Sequence, residues 1–252
     1  MPVKTEKSGL FGAWIPVILP VIFLTSLGML ILMSAGAGGD DPYSIVRRQS
    51  VWLVIAIAAG CFAAFVDLKF LKRISIPFAI VSMVLLLLAV VGPFAKEVNG
   101  SHRWIDLKVF AVQSSDIAKF SFIILLSSYL YDNQRRMGTF WHGLVKPLAI
   151  TGIFCLLIII EPDYGTTAVV GAIGFVLIFL AGAKKLYLGA ICVPAILGFA
   201  VMVYHDPVRL NRVLSFLDLE NTKTEGGYQL YQGILAFGSG KLTGLGLSLI
   251  HI

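Results

Sequence analysis

The chain has 252 residues, of which 58% are hydrophobic and only 13% are charged, and its formal net charge is +6. Soluble domains are about half apolar and a quarter charged, so the composition excludes an ordinary soluble protein and places most of the chain in lipid. The basic residues form no patch with interleaved aromatic residues, which argues against a nucleic-acid partner. In membrane proteins, Lys and Arg set the orientation instead.

Seven apolar runs are long enough to cross a bilayer, which predicts an all-α fold, a polytopic transmembrane helix bundle. We expect a cytoplasmic N-terminus at 1–13, the bundle at 14–204, and an extracytoplasmic segment at 205–252. The apolar part of the first run is longer than that of a signal peptide, so we expect it to be retained. The predicted spans are 14–35, 51–66, 76–94, 115–131, 147–160, 166–183 and 186–204.

The basic residues of the short loops predict the orientation, because cytoplasmic loops are enriched in Lys and Arg. One set of loops carries Lys4, Lys7, Lys69, Lys72, Arg73, Arg135, Arg136, Lys146, Lys184 and Lys185. The opposite set carries Arg47, Arg48, Lys96, Arg103 and Lys108. The first set, the larger one, is predicted to be cytoplasmic. The loop at 95–114 and everything after residue 204 are then outside.

Polar residues gather between the third and fourth apolar runs, at 99–119. This stretch is expected to be a loop that leads into a helix capped by Ser114 or Ser115. Asp116 then falls in the first helical turn, where the helix dipole favours an anion. The external end of the fourth span is therefore predicted to be polar.

Lys119 lies about one turn into the fourth span, where a cation is costly unless it is paired or faces water. The positions three and four residues later are apolar and offer it no partner. We therefore predict an externally connected polar pocket that holds Lys119, Arg103 and a carboxylate, with Asp163 as the first candidate.

A second polar segment, Glu-Pro-Asp-Tyr-Gly-Thr-Thr-Ala at 161–168, joins the fifth and sixth spans. Either Thr166 or Thr167 is expected to cap the sixth helix. Two interpretations of Glu161 and Asp163 stay open. They are either water-facing acids of a helix hairpin, or partners of the cations above in a site for diphosphate or a metal ion.

Several motifs together resemble those of the SEDS proteins (shape, elongation, division and sporulation), which include FtsW, RodA and SpoVE. They are Gly-Ser-x-Arg-Trp-Ile at 100–105, Gln-x-Ser-Asp-x-x-Lys at 113–119, Pro-Asp-x-Gly-Thr at 162–166, Gly-Tyr-Gln-x-x-Gln at 227–232, Ala-x-Gly-Ser-Gly at 236–240 and Gly-x-Gly at 244–246. The usual second motif is Gln-Pro-Ser-Glu-x-x-Lys, so Ser114 replaces a proline and Asp116 a glutamate. The Asp-Pro dipeptide that usually precedes the tyrosine of the Gly-Tyr-Gln-x-x-Gln motif is absent.

The resemblance implies a peptidoglycan glycosyltransferase that acts on polyprenyl-diphosphate-linked lipid II in cell division or cell shape. The partners implied are a class B penicillin-binding protein and other division or elongation proteins. A lipid II flippase and a non-catalytic scaffold of the cell-wall machinery remain alternatives. No cofactor is evident, and a divalent cation stays an open alternative.

The candidate site residues fall into two groups. Asp163 and Asp218 are the candidate catalytic carboxylates. The candidate substrate-binding residues are Arg48, Arg103, Trp104, Gln113, Ser115, Asp116, Lys119, Arg209, Arg212, Tyr228 and Gln229.

The C-terminal segment is expected to hold a short amphipathic helix, because Leu230, Ile234 and Phe237 recur at helical spacing. SEDS proteins continue with a Pro-Glu-x-x-Thr-Asp motif, whose Asp is the family's proposed catalytic residue, and with three further spans. The 252 residues end before that motif. The expectation from sequence is therefore a C-terminally truncated member or a degenerate partner, and the 252 residues as given are not expected to polymerise lipid II.

Overall fold

The computed structural model describes residues 7–36, 41, 43–91, 95–98, 101–106, 111–217 and 227–241. The chain divides into two compact units, Met1–Phe65 with Pro207–Ile252, and Val66–Asp206. The helices are α1 (Lys7–Gly36), α2 (Ser44–Ala64), α3 (Leu68–Val91), α4 (Ser114–Asp132), α5 (Lys146–Ile160), α6 (Tyr164–Leu180), α7 (Lys185–His205), α8 (Pro207–Leu217) and α9 (Tyr228–Gly240). The strands are β1 (Ala95–Val98), β2 (Ser101–Asp106) and β3 (Ala111–Gln113).

A helix occupies each of the seven predicted apolar runs, and the prediction of an all-α, multi-pass membrane bundle is confirmed. In the part of the chain that the structure describes, five helical segments combine the length and composition needed to cross a membrane. Two of the predicted runs are not among them. The helix α6 is apolar but shorter, and α4 carries Asp116, Lys119 and Asp132.

In the first unit, α1 packs on α2. Apolar side chains cover α1 on all sides and are exposed from Ile15 to Met33, as expected for a helix surrounded by lipid. The same unit contains α8, a helix that the sequence analysis did not predict, and α9, which lies where the amphipathic helix was expected. The apolar residues Leu210, Val213, Leu214 and Leu217 of α8 recur at helical spacing.

In the second unit, α4 is the central helix and contacts α3, α5 and α6. Its buried apolar residues Ala118, Phe122, Leu126 and Leu130 follow one another at intervals of four and form a continuous face. The ring of Phe122 packs against that of Phe154 on α5, with centroids 5.4 Å apart. The core of the unit therefore lies along α4.

Polar side chains join α3 to α4 at two levels. The buried hydroxyls of Ser82 and Ser121 share a hydrogen bond of 2.5 Å in the middle of the pair. At the end of α4, Lys72 forms a salt bridge with Asp132 and lies over the ring of Tyr131. Because apolar side chains gain little by leaving lipid, such interhelical hydrogen bonds and close packing hold membrane helices together.

Strands β1, β2 and β3 form a small antiparallel sheet in that order, within the stretch that the sequence analysis treated as a loop. The prediction of a loop was wrong for 95–98, 101–106 and 111–113. The sheet contacts α3 and α4, and its last strand leads directly into α4. The polar stretch is therefore anchored to the ends of two core helices.

Candidate functional site

The start of α4 is fixed by hydrogen bonds to the turn between α5 and α6. The helix has Gln113 at its N-cap position, and the Gln113 side chain makes no capping hydrogen bond. The predicted capping role of Ser114 or Ser115 was therefore wrong. The Ser114 hydroxyl instead donates a hydrogen bond of 2.6 Å to Glu161 Oε1, and both residues are fully buried. This contact connects residues 47 positions apart in sequence.

The start of α6 is capped by Asp163, and not by a threonine as predicted. Its Oδ1 accepts a hydrogen bond of 3.1 Å from the Thr166 backbone N–H. Its Oδ2 accepts another, of 2.8 Å, from the Thr166 hydroxyl. The carboxylate of Asp163 is thus a helix N-cap, a role that satisfies an otherwise orphaned backbone donor.

The two helix starts are joined by a further set of hydrogen bonds. The Gln113 amide Nε2 donates to Ser115 Oγ at 2.9 Å and to Asp163 Oδ2 at 3.4 Å. The Ser115 hydroxyl donates to the same Asp163 oxygen at 3.5 Å. We call Gln113, Ser114, Ser115, Glu161 and Asp163 the helix-start network.

Four of the five residues of the helix-start network are buried, and Gln113 is partly buried. Glu161 and Asp163 are 0% and 4% exposed, and the two serines are 0% exposed. A buried carboxylate is tolerated only where donors compensate for its lost hydration. The two acids are therefore not water-facing acids of a hairpin, the first of the two interpretations that the sequence left open.

Lys119 pairs with Asp116, three residues earlier on α4, at 2.7 Å between Nζ and Oδ1. The side chains of Lys119 and Asp116 are 30% and 53% exposed. Asp116 is therefore the carboxylate that pairs with Lys119, and the predicted pocket with Arg103 and Asp163 stays a prediction. Two residues three positions apart on a helix lie on the same face, so the partner of a lysine can precede it as well as follow it.

The sheet brings Trp104 to the same end of the unit. Trp104 on β2 is the register partner of Gln113 on β3 and of Lys96 on β1. Its indole N–H is buried and has no hydrogen-bond partner among the described residues. Arg103 precedes it on β2, so the backbone of both candidates lies beside the start of α4.

The remaining candidates lie apart from these residues along the chain. Arg48 on α2 and Tyr228 and Gln229 on α9 belong to the first unit and are exposed. Arg209 and Arg212 lie on α8 of the same unit, and Asp218 lies outside the described residues. Ser114 and Glu161 are not among the predicted site residues, because no local sequence pattern marks the contact between them.

The acidic, histidine and cysteine side chains of the described residues were candidates for metal ligands. Among them, no group of three His, Cys, Asp or Glu side chains converges as a metal ion would require. The two buried carboxylates are instead bonded by hydroxyl and amide donors, as described above.

A family model described as "Cell cycle protein", for FtsW, RodA and SpoVE, matches residues 8–252. The chain belongs to the SEDS family. This confirms the resemblance seen in the motifs. Within the SEDS pattern, Ser114 stands where proline is usual, and here its hydroxyl forms the hydrogen bond to Glu161. The departure from the family's motif therefore falls inside the helix-start network.

Among SEDS relatives, the probable peptidoglycan glycosyltransferase FtsW of Saccharophagus degradans is 32% identical over 232 residues. The match covers 90% of this chain and 60% of that protein. A chain of a solved peptidoglycan synthase complex is similar with a TM-score of 0.66 and 26% identity, over 89% of this chain and 66% of that one. The rod shape determining protein RodA of Thermus thermophilus gives a TM-score of 0.59 and 25% identity, over 73% and 58%. The chain thus spans about three fifths of the length of its curated relative.

Proposed function

We propose that this SEDS protein is a peptidoglycan glycosyltransferase that uses lipid II in bacterial cell-wall synthesis. The proposal is supported by the names of the FtsW relatives and by the similarity to a chain of a peptidoglycan synthase complex. In the reaction, an acceptor hydroxyl attacks the anomeric carbon of the donor sugar. Lipid diphosphate leaves with the bonding electrons, and a carboxylate takes the hydroxyl proton.

The observation that carries the proposal is the polar end of the second unit. The helix-start network fixes the ends of α4, α5 and α6 next to the sheet, while Lys119 and Asp116 stay partly exposed beside it. Rigidly held polar groups at the end of a membrane bundle suit a substrate with a lipid tail and a charged headgroup.

The residues of this end are assigned different roles in the proposal. Lys119 and Arg103 bind the diphosphate of the substrate, since Lys and Arg neutralise phosphate oxygens. Asp163 is a positioning residue, because a proton acceptor must reach the substrate hydroxyl and this carboxylate is 4% exposed and already bonded. Asp218 remains a candidate base.

The alternative of a lipid II flippase requires a polar path along the bundle. Among the described residues, the buried face of α4 beyond Ser121 is apolar at Phe122, Leu126 and Leu130. The buried hydroxyls of Ser82 and Ser121 bond each other. These observations favour chemistry at one end of the bundle over transport through it.

The test is a polymerisation assay with the protein expressed from its native gene, purified with a class B penicillin-binding protein and supplied with lipid II. We expect glycan strands, and a rate lower by at least roughly tenfold for Lys119→Met, because hydrogen bonds to charged groups contribute about 1.5–3 kcal/mol. Lys72→Met is the matched control, since Lys72 also pairs with an aspartate of α4, at its other end. An equal loss in both variants would refute the binding role of Lys119.

An absence of glycan strands from the wild-type protein would refute the polymerase itself. Movement of labelled lipid II across vesicle membranes without any polymer would support the flippase instead. Polymer that forms equally with every site variant, but not without the protein, would support the scaffold.

We further propose that the protein lies in the inner membrane with its N-terminus in the cytoplasm. The support is the distribution of basic residues over the loops. In a background without the native cysteines, an impermeant thiol reagent should label Ser101→Cys but not Thr139→Cys in whole cells. Labelling of Thr139→Cys alone would contradict the proposed orientation and support the reverse one.

A further inference from the structure

A largely apolar groove of about 580 Å³ lies between α5, α6 and α7. Its volume falls in the range of about 300–1,000 Å³ that is typical of small-molecule sites. Side chains of small residues leave this space open. The small lining residues are Gly152, Ala168, Gly171, Ala172 and Ala195.

One end of the groove is bounded by Leu144 and Leu188, near the starts of α5 and α7. Here Phe140 packs edge-on against Tyr187 at 5.7 Å between ring centroids, and against Trp141 at 6.1 Å. Aromatic residues of this kind mark the level of lipid headgroups in membrane proteins.

Two lysines accompany these aromatic residues. Lys184 lies at the N-cap position of α7, with its Nζ 5.6 Å from the centre of the Tyr187 ring, and Lys185 follows it. Both are exposed, and neither forms a salt bridge with any residue that the structure describes. The end of the groove near Leu188 therefore carries positive charge that the described carboxylates do not neutralise.

The opposite end of the groove has a different lining. It is lined by Thr167 and Ala168, near the start of α6. The Thr167 hydroxyl donates to the backbone carbonyl of Asp163, so this end adjoins the helix-start network. The exposed lysines at the other end favour a negatively charged headgroup there.

We propose that the groove binds a glycerophospholipid with an anionic headgroup. An acyl chain fills the apolar groove, and the phosphate lies at Lys184 and Lys185 on the level of Trp141 and Tyr187. Basic pockets at the ends of membrane helices recognise anionic headgroups in this way. The inference rests on the membrane location of the bundle and is independent of the proposed glycosyltransferase activity.

A polyprenyl diphosphate is the competing occupant. In the proposed orientation, its diphosphate would lie at the outer end of the groove, beside Glu161 and Asp163. Lys184 and Lys185 lie at the other end of the groove and would not contact that diphosphate. Binding of the glycerophospholipid should therefore depend on the two lysines, whereas binding of the polyprenyl diphosphate should not.

The test measures lipid binding to the full 252-residue chain by native mass spectrometry. The probes are phosphatidylglycerol, phosphatidylcholine and a polyprenyl diphosphate. We expect Lys184→Gln with Lys185→Gln to weaken phosphatidylglycerol binding roughly 30-fold, at about fivefold for each lysine near a headgroup. Lys69→Gln with Arg73→Gln is the matched control, because it removes the same charge from exposed positions on α3. The pair Lys184→Arg and Lys185→Arg should retain binding.

An equal loss in the control pair would overturn the proposal, because binding would then depend on net charge alone. Tighter binding of polyprenyl diphosphate than of phosphatidylglycerol, unaffected by the lysine variants, would assign the groove to the competing lipid.

A second measurement locates the acyl chain. Cys192 lines the groove, whereas Cys61 is exposed on α2 of the other unit. Phosphatidylglycerol should slow the reaction of Cys192 with N-ethylmaleimide in detergent and leave that of Cys61 unchanged. Gly171→Phe should abolish this protection by filling the groove, since Gly171 lines the groove and a Cβ atom there would meet no atom within 4 Å. Equal protection of both cysteines, or protection that survives Gly171→Phe, would refute the placement.

Discussion

Gly174 on α6 is a position where two core helices approach each other closely, and its replacement tests how tightly the second unit is packed. A Cβ atom built there would lie 2.7 Å from Thr151 Cγ2, 2.8 Å from Thr151 Oγ1 and 3.2 Å from Phe122 Cζ. Ordinary contacts begin near 3.5 Å. Gly174→Ala therefore forces α5 and α6 apart by several tenths of an ångström or more.

The expected magnitude follows from two opposing effects. Overpacking of a close-packed core costs about 1–3 kcal/mol, whereas replacing a helical glycine by alanine contributes about 0.5–1 kcal/mol of stability. Gly171→Ala supplies the second effect alone, because its Cβ meets no atom within 4 Å. We expect the free energies of unfolding of the two variants to differ by about 1–3 kcal/mol.

The assay compares apparent melting temperatures of the purified variants in one detergent. The expected difference is roughly 2–12 °C, at about 2–4 °C per kcal/mol for a chain of this size. The double variant Gly174→Ala with Thr151→Ala should recover part of the loss, because it removes both close atoms of the threonine. Equal melting temperatures for Gly174→Ala and Gly171→Ala, or no coupling with Thr151, would refute the close packing of α5 and α6.

Three further predictions concern the helix starts and the connection between α4 and α5. Ser114→Ala should lower the free energy of unfolding by about 1.5–3 kcal/mol, because it removes a hydrogen bond to the Glu161 carboxylate; Ser128→Ala, whose hydroxyl bonds only its own helix at Ile124, should cost less, and equal losses would contradict the prediction. Asp163→Ala should lower the free energy of unfolding by about 0.5–2 kcal/mol, because it removes the N-cap of α6. Asp163→Asn should lower it less, because asparagine also caps helices; an equal loss in both variants would show that the negative charge is needed rather than the cap. Gly143→Ala should reduce thermal stability more than Gly138→Ala, because a Cβ at 143 would lie 1.8 Å from the Met137 carbonyl oxygen whereas one at 138 meets nothing; similar melting temperatures would argue against that contact.

The helices of the bundle could be predicted from sequence because long apolar runs have one stable form in lipid, in which every backbone group is bonded within the helix. The small sheet was missed although part of its signal was present. Asn99 and Gly100 separate β1 from β2, and Asn-Gly is the dipeptide most typical of two-residue hairpins. The apolar spacing of α8 was also present in the sequence and was not recognised.

The candidate site was predictable only in part. The pairing of Lys119 with Asp116 follows from helical spacing, but only the positions after Lys119 were considered. The bond between Ser114 and Glu161 crosses 47 residues and depends on how α4 meets the α5–α6 turn. No local pattern encodes such a contact, because packing of the whole unit determines it.

The groove beside α7 has a consequence for how this helix is held. The structure describes α7 completely, and Leu188 is its single buried residue. Apolar side chains gain little on moving from lipid to protein, so a lipid in the groove supplies α7 with contacts that the described residues do not. Stripping lipid during purification should therefore release α7 before any other helix of its unit, and its amides should be the first there to exchange with deuterium.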